Sequence, residues 1–195
     1  MSATLKTFRD FYGSFMKEAH ECIDLVRESE VEAVVDALWE AYRQDSRVWI
    51  AGNGGSASTA IHLGCCFGHG TMVAGKRPLR AESLCGNIST LTAIGNDFSY
   101  DQVFVQQLQV CMSPGDVFIA ISCSGNSPNV VAAAEYARAS GARVISFLGF
   151  SGGKLKELSH HSIYIDNYNY GQVETIHVSL GHLITQYLKQ RIAES

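Results

Sequence analysis

The chain has 195 residues, enough for one domain with a full-sized core, and its 46% hydrophobic and 17% charged content excludes a disordered chain. A net charge of −4 gives no electrostatic footprint for nucleic acid or an anionic membrane, so an anionic ligand would have to be held locally by backbone amides and hydroxyls. No segment approaches the ~18 apolar residues of a membrane span, and "MSATLKTFRDFYGSF" lacks the features of a secretory leader, so a cytoplasmic location is expected.

Residues 4 to 44 read as helical. Phe11, Phe15, Ala19, Cys22, Ile23 and Val26 fall on one stripe, and "SEVEAVVDALWEAYR" repeats the period behind a Ser29 cap. Two helices before the first strand suggest an extra layer whose apolar faces pack between subunits. From Arg47 onward, apolar runs alternate with helical patterns. Strands are expected at 48–51, 81–84, 117–122, 143–149 and 162–166. Helices are expected at about 57–68, 88–94, 100–111, 127–140 and 172–192. This alternation predicts an α/β fold with a mainly parallel sheet. One architecture of this class, taken as the expectation, is a flavodoxin-like three-layer sandwich with five parallel strands in the order 2-1-3-4-5 and two extra N-terminal helices. It forms a single domain over 1–195, with 1–45 contributing to an oligomer interface and 46–195 forming the ligand-binding core.

Two strand–loop–helix joints carry the same chemistry. The first is Gly52-Asn53-Gly54-Gly55-Ser56-Ala57 and the second is Ser122-Cys123-Ser124-Gly125-Asn126-Ser127. A helix N-terminus offers unpaired N–H groups and partial positive charge, glycine lets the backbone approach a ligand, and serine adds donors. Ser127 followed by Pro128 also reads as an N-cap and first helical position. The first loop satisfies G-x-G-x-x-G/A, but the acidic residue of a dinucleotide site is missing at the right distance: Glu82 is too far along and inside a strand. With strand order 2-1-3-4-5, the topological switch point lies between strands 1 and 3, which carry the two loops. A single phosphomonoester held between them is the simplest ligand.

Histidine and cysteine supply a second constellation. His62 and Cys66 are four apart on one helix face, and Glu174 and His182, eight apart on the last helix, point in roughly the same direction. Imidazole, thiolate and carboxylate are all zinc ligands. The other cysteines read as reduced core thiols, Cys65 included. His160 and His161 read as solvated loop residues, and His177 as a core or supporting histidine.

The ordered segments "GNGGSAST", "LTAIGNDFSYDQVF", "GDVFIAISCSGNSPNVV" and "GFSGGKLKEL" resemble the SIS (sugar isomerase) domain family, and within it the phosphoheptose isomerases. The resemblance covers nearly the whole chain. It implies an enzyme, an intramolecular oxidoreductase that interconverts sedoheptulose 7-phosphate and D-glycero-D-manno-heptose 7-phosphate through an enediol. It implies that Ser56, Ser122, Ser124 and Ser127 hold the phosphate, that Asn53 and Gly54 shape the first loop, and that Asp97 approaches the sugar. It implies a homotetramer, and it places His62, Cys66, Glu174 and His182 around one zinc or catalytic centre. Glu174 is then expected as the base and His182 as the acid or a ligand, with Cys66 at the position where related isomerases carry an acidic catalytic residue. Glu174 stands where glutamine is common, and Gly171 where an aspartate is common. The competing expectations are a non-catalytic sugar-phosphate-binding regulator or scaffold, and an isomerase for another phosphosugar.

Overall fold

The computed structural model describes residues 7–195, so the first residues of the expected N-terminal helix, 4–6, lie outside it. Helices α1 (Phe8–Asp24) and α2 (Glu28–Arg43) precede β1 (Arg47–Gly52). Then follow α3 (Gly55–Gly68), β2 (Arg80–Ser83), α4 (Ile88–Asp97), α5 (Val105–Cys111) and β3 (Val117–Ser122). The chain ends with α6 (Pro128–Ala139), β4 (Arg143–Leu148), α7 (Gly153–Leu158), β5 (His161–Tyr164) and α8 (Tyr170–Glu194). The five strands form one parallel sheet in the order β2-β1-β3-β4-β5, as the sequence predicts.

The central strands are buried on both faces, which is why they read as continuous apolar runs: every residue of "VFIAIS" in β3 is buried. Edge strand β2 alternates exposed and half-buried residues. At the other edge, the Tyr164 amide donates to Glu30 Oε2 of α2 at 3.0 Å, which occupies one backbone donor of the open edge. Helices α2, α3 and α8 pack together on one face of the sheet, and α5, α6 and α7 on the other. Helix α8 buries Val173, Ile176, Leu180, Ile184, Leu188 and Ile192 along a helical stripe.

Several local expectations change. Ser29 is not a cap, because α2 begins at Glu28 with Arg27 at the N-cap. The expected helix over 100–111 opens as a 3₁₀ turn at Tyr100–Gln102 and becomes α-helical only at Val105. The short α7 was not expected, since "GGKLKEL" gives too few turns to establish a period. The α1 stripe keeps its expected apolar face open: Cys22 is buried, whereas Phe11, Phe15 and Ile23 are exposed.

Candidate active site

Both loops end at helix starts whose N-cap residue gives no side-chain capping bond. Gly54 at the N-cap of α3 has no side chain to offer, and Ser127 at the N-cap of α6 makes no capping bond. Instead, Ser127 Oγ lies 3.4 Å from Ser122 Oγ, which also accepts from the Gly125 amide at 3.1 Å. Ser124 Oγ accepts from the Asn126 amide at 3.3 Å. Gly125 has φ +66°, and a Cβ there would run into the Gly152 carbonyl, so only glycine lets the second loop close against the start of α7. The Leu155 amide donates to Gly125 O at 3.0 Å, and the Lys154 amide to Asn126 Oδ1 at 2.9 Å. This packing explains why "GFSGGKLKEL" belongs with the loop motifs.

The register pairs Gly52 with Ile121, so the two loops leave adjacent strands at the same level. Ser56 and Ser122 are buried at the base of the crevice, and Ser124 and Ser127 are half-buried. The Cys123 thiol is pushed up to about 11, by burial first and then by the charge of Glu174, while the Ser56 side chain acts in the opposite direction through a hydrogen bond. Asp97 is exposed at the end of α4 and accepts from Asn96 Nδ2 at 2.9 Å. Three residues on, the Tyr100 hydroxyl donates to Asn53 Oδ1 at 2.9 Å, which ties this segment to the first loop.

The histidine–cysteine constellation divides. His62 Nε2 lies 3.1 Å from His182 Nε2, and Cys66 Sγ lies 3.4 Å from His62 Nε2 and 4.0 Å from His182 Nδ1. One donor atom from each of the three residues can be chosen so that all lie within 4.8 Å of one another. Glu174 is not in this group. Its carboxylate lies against Gly55 at the start of α3, two turns nearer the anion loops, although it lines one cleft with Thr59, His62 and Val178. The helices α3 and α8 approach closely because Gly181 has no side chain: a Cβ there would enter Leu63. That contact brings His182, the next residue along, beside the His62 and Cys66 face.

The remaining cysteines and histidines take mixed positions. Cys65 is exposed rather than packed, and Cys66 is half-buried, its thiol pushed up by burial and by Cys65. His177 is fully buried, bonded through Nε2 to Leu148 O at 3.2 Å with Nδ1 unpartnered, and burial drives it down to about 4. His160 is not merely solvated, since its Nδ1 accepts from the Val144 amide at 2.9 Å, and His161 opens β5.

A profile of the SIS domain matches residues 12–149. The chain belongs to the SIS domain family. Among SIS-domain relatives, it is 38% identical over 170 residues to a protein named phosphoheptose isomerase from Mycobacterium tuberculosis, covering 87% of this chain and 86% of that one. It is 39% identical over 156 residues to a phosphoheptose isomerase from Rhodospirillum rubrum, covering 80% of this chain and 81% of that protein. The solved structure of phosphoheptose isomerase from Neisseria gonorrhoeae superposes with a TM-score of 0.87 at 25% identity, over 94% of this chain and 100% of that one.

Sequence reasoning missed one member of the SIS-domain crevice. Asn129, only 1% exposed, pairs with Asn53 across the two loops. The available signal was an asparagine just inside a helix start, immediately before the apolar pair Val130-Val131.

Proposed function

We infer that this chain is a sugar-phosphate aldose–ketose isomerase that interconverts sedoheptulose 7-phosphate and D-glycero-D-manno-heptose 7-phosphate. The observation that carries this reading is the pair of hydroxyl-rich, uncapped helix starts leaving β1 and β3 at one level, with a carboxylate beside them. Ser56, Ser122, Ser124 and Ser127 hold the phosphate with the α3 and α6 amides, and Gly54 shapes the first loop. Asp97 meets the sugar chain. Glu174 takes the proton from the carbon beside the carbonyl and returns it to the neighbouring carbon, while the hydroxyl proton passes to the former carbonyl oxygen through water, so that the substrate passes through a cis-enediol.

The residues fit zinc. Bond lengths of ~2.0–2.3 Å to nitrogen and sulfur put tetrahedral ligand atoms roughly 3.3–3.6 Å apart; His62 Nε2 lies 3.1 Å from His182 and 3.4 Å from Cys66, and the three donor atoms lie within 4.8 Å of one another. His62, Cys66 and His182 would hold the ion, and Glu174, standing apart, stays available as the base. Zinc bound there supplies a Lewis acid for the substrate carbonyl oxygen. His182 and Cys66 serve catalysis as ligands in this arrangement, and Glu174 is the one carboxylate of the original foursome.

The same reading includes a cytoplasmic homotetramer with a single domain per chain. Exposed Phe8, Phe11, Tyr12 and Phe15 on α1, and a groove lined by Val26, Leu180 and Leu183, supply apolar area for subunit contacts. No helix among the described residues is long and apolar enough to cross a membrane, and the six cysteines are unpaired. The charge of −4 argues against nucleic acid as a partner.

The test is solvent deuterium exchange during equilibration of sedoheptulose 7-phosphate with its aldose, followed by NMR on zinc-loaded protein. Product should appear, carrying deuterium to the extent that the proton held by Glu174 exchanges with solvent before its return. Absence of both, with zinc bound and the oligomer intact, would leave a sugar-phosphate-binding protein without catalysis.

A further inference from the structure

The two anion-binding loops are joined by a closed pair of side-chain amides. Asn53 Nδ2 donates to Asn129 Oδ1 at 2.8 Å, and Asn129 Nδ2 donates to Asn53 Oδ1 at 2.9 Å. The pair spans 76 residues of sequence and joins the end of β1 to the start of α6. Its orientation follows from chemistry. The backbone amide of Val130 lies 2.9 Å from the same Asn129 atom and can only donate, so that atom must be the carbonyl oxygen. The other atom of Asn129 is then the NH2, and Asn53 must face it with its own oxygen.

Tyr100 adds the third link. Its hydroxyl donates to Asn53 Oδ1 at 2.9 Å, so this oxygen accepts from both Asn129 and Tyr100. A carbonyl oxygen has two lone pairs, and both are used. Asn53 is left with an amide hydrogen and no acceptor to present to a ligand. A side chain locked in this state favours an anion, because the alternative rotamer would point a carbonyl oxygen at a phosphate oxygen.

We propose that Asn129 and Tyr100 are positioning residues that lock the Asn53 amide as a donor and hold the two phosphate loops at fixed separation. The proposal rests on the sugar-phosphate reading of the crevice. Loss of Asn129 or Tyr100 acts on phosphate affinity and leaves the proton transfer at Glu174 in place.

The experiment compares wild type, Asn129→Ala, Tyr100→Phe, Asn53→Ala and the Asn53→Ala/Asn129→Ala double variant. Calorimetry measures the Kd for inorganic phosphate and for sedoheptulose 7-phosphate, and steady-state kinetics supplies KM and kcat. Thermal midpoints are recorded for each variant. The loss of about one hydrogen bond corresponds to roughly five- to tenfold weaker phosphate binding in Asn129→Ala. Tyr100→Phe, with the amide pair intact, should weaken it by about two- to threefold. KM should rise in proportion while kcat falls less than about threefold. The double variant should bind phosphate no more weakly than Asn53→Ala, since the two amides act as one unit.

Unchanged phosphate affinity in both Asn129→Ala and Tyr100→Phe overturns the proposal, as do additive losses in the double variant or a fall in kcat at constant KM. Tyr100 is 63% exposed, so Tyr100→Phe carries the test alone if Asn129→Ala does not fold. Wild type that binds neither probe overturns the sugar-phosphate reading and this proposal together. Wild type that binds both, with variants equal to it, overturns only this proposal.

Discussion

Acidification should destabilise the fold through His177, by an amount that can be worked out in advance. The side chain lies on α8 between Glu174 and His182, fully buried, with the Leu148 carbonyl as its hydrogen-bond partner among the described residues. Burial lowers it from 6.5 to about 4, and the Leu148 bond only partly opposes this. The sign follows directly: the folded state prefers the neutral ring, so the stabilisation is complete above pH 6.5 and is lost as pH falls from there towards 4. In that window the unfolded chain takes up a proton that the folded chain refuses. The gap between 6.5 and about 4, at ~1.4 kcal/mol per pH step, comes to about 3 kcal/mol. Urea unfolding at fixed protein concentration, followed by circular dichroism between pH 7 and pH 4, measures it. The comparison is with His177→Leu, which is less stable at pH 7 because of its altered packing but lacks the titrating ring. The wild-type advantage should therefore shrink by about 3 kcal/mol on going to pH 4. His160 and His161, which burial also lowers, contribute equally to both proteins and cancel. Parallel stability profiles for the two proteins would refute the reasoning.

Three further outcomes follow from the site. Glu174→Gln should lower kcat by at least about two orders of magnitude, the usual scale of acid–base catalysis, with zinc content unchanged because the carboxylate stands outside the His62–Cys66–His182 group; simultaneous loss of zinc would make Glu174 a ligand instead. Gly125→Ala, which combines φ +66° with a Cβ directed into the Gly152 carbonyl, should cost about 2 kcal/mol or more in urea unfolding and weaken phosphate binding; a neutral variant would show that the second loop is free of α7. Removing zinc with a chelator should expose Cys66 to alkylation, read by peptide mass spectrometry, whereas the exposed neighbour Cys65 should react equally with and without metal; equal protection of both would contradict a ligand role for Cys66.

The sheet was legible because its signals are local. A parallel strand buried on both faces is an uninterrupted apolar run, and the strands fall within a residue or two of their expected limits. The two loops were legible because Gly and Ser at a strand–helix joint have few other uses. The links between segments were less accessible. Asn129 and Tyr100 meet Asn53 from 76 and 47 residues away, and no spacing rule predicts such a meeting. The separation of Glu174 from the other three residues had a related cause. Eight residues on an ideal helix bring two side chains to roughly the same direction, but they also separate them by ~12 Å along the axis, so one ion cannot easily reach both. The stripe on α1 has the period of a core helix, yet Phe11, Phe15 and Ile23 are exposed, in keeping with the expectation that it is not filled from within the chain.

Gly181 gives an apolar contact authority over a polar site. Neither it nor Leu63 carries a donor atom, yet their meeting sets the distance between the helices that hold His62, Cys66 and His182. A methyl group at position 181 has two outlets: Leu63 must turn within a packed core, or α8 must withdraw from α3. In the second case the three donor atoms spread apart. The geometry of the three donor atoms is thus set partly by hydrocarbon, at two positions that hold no donor of their own.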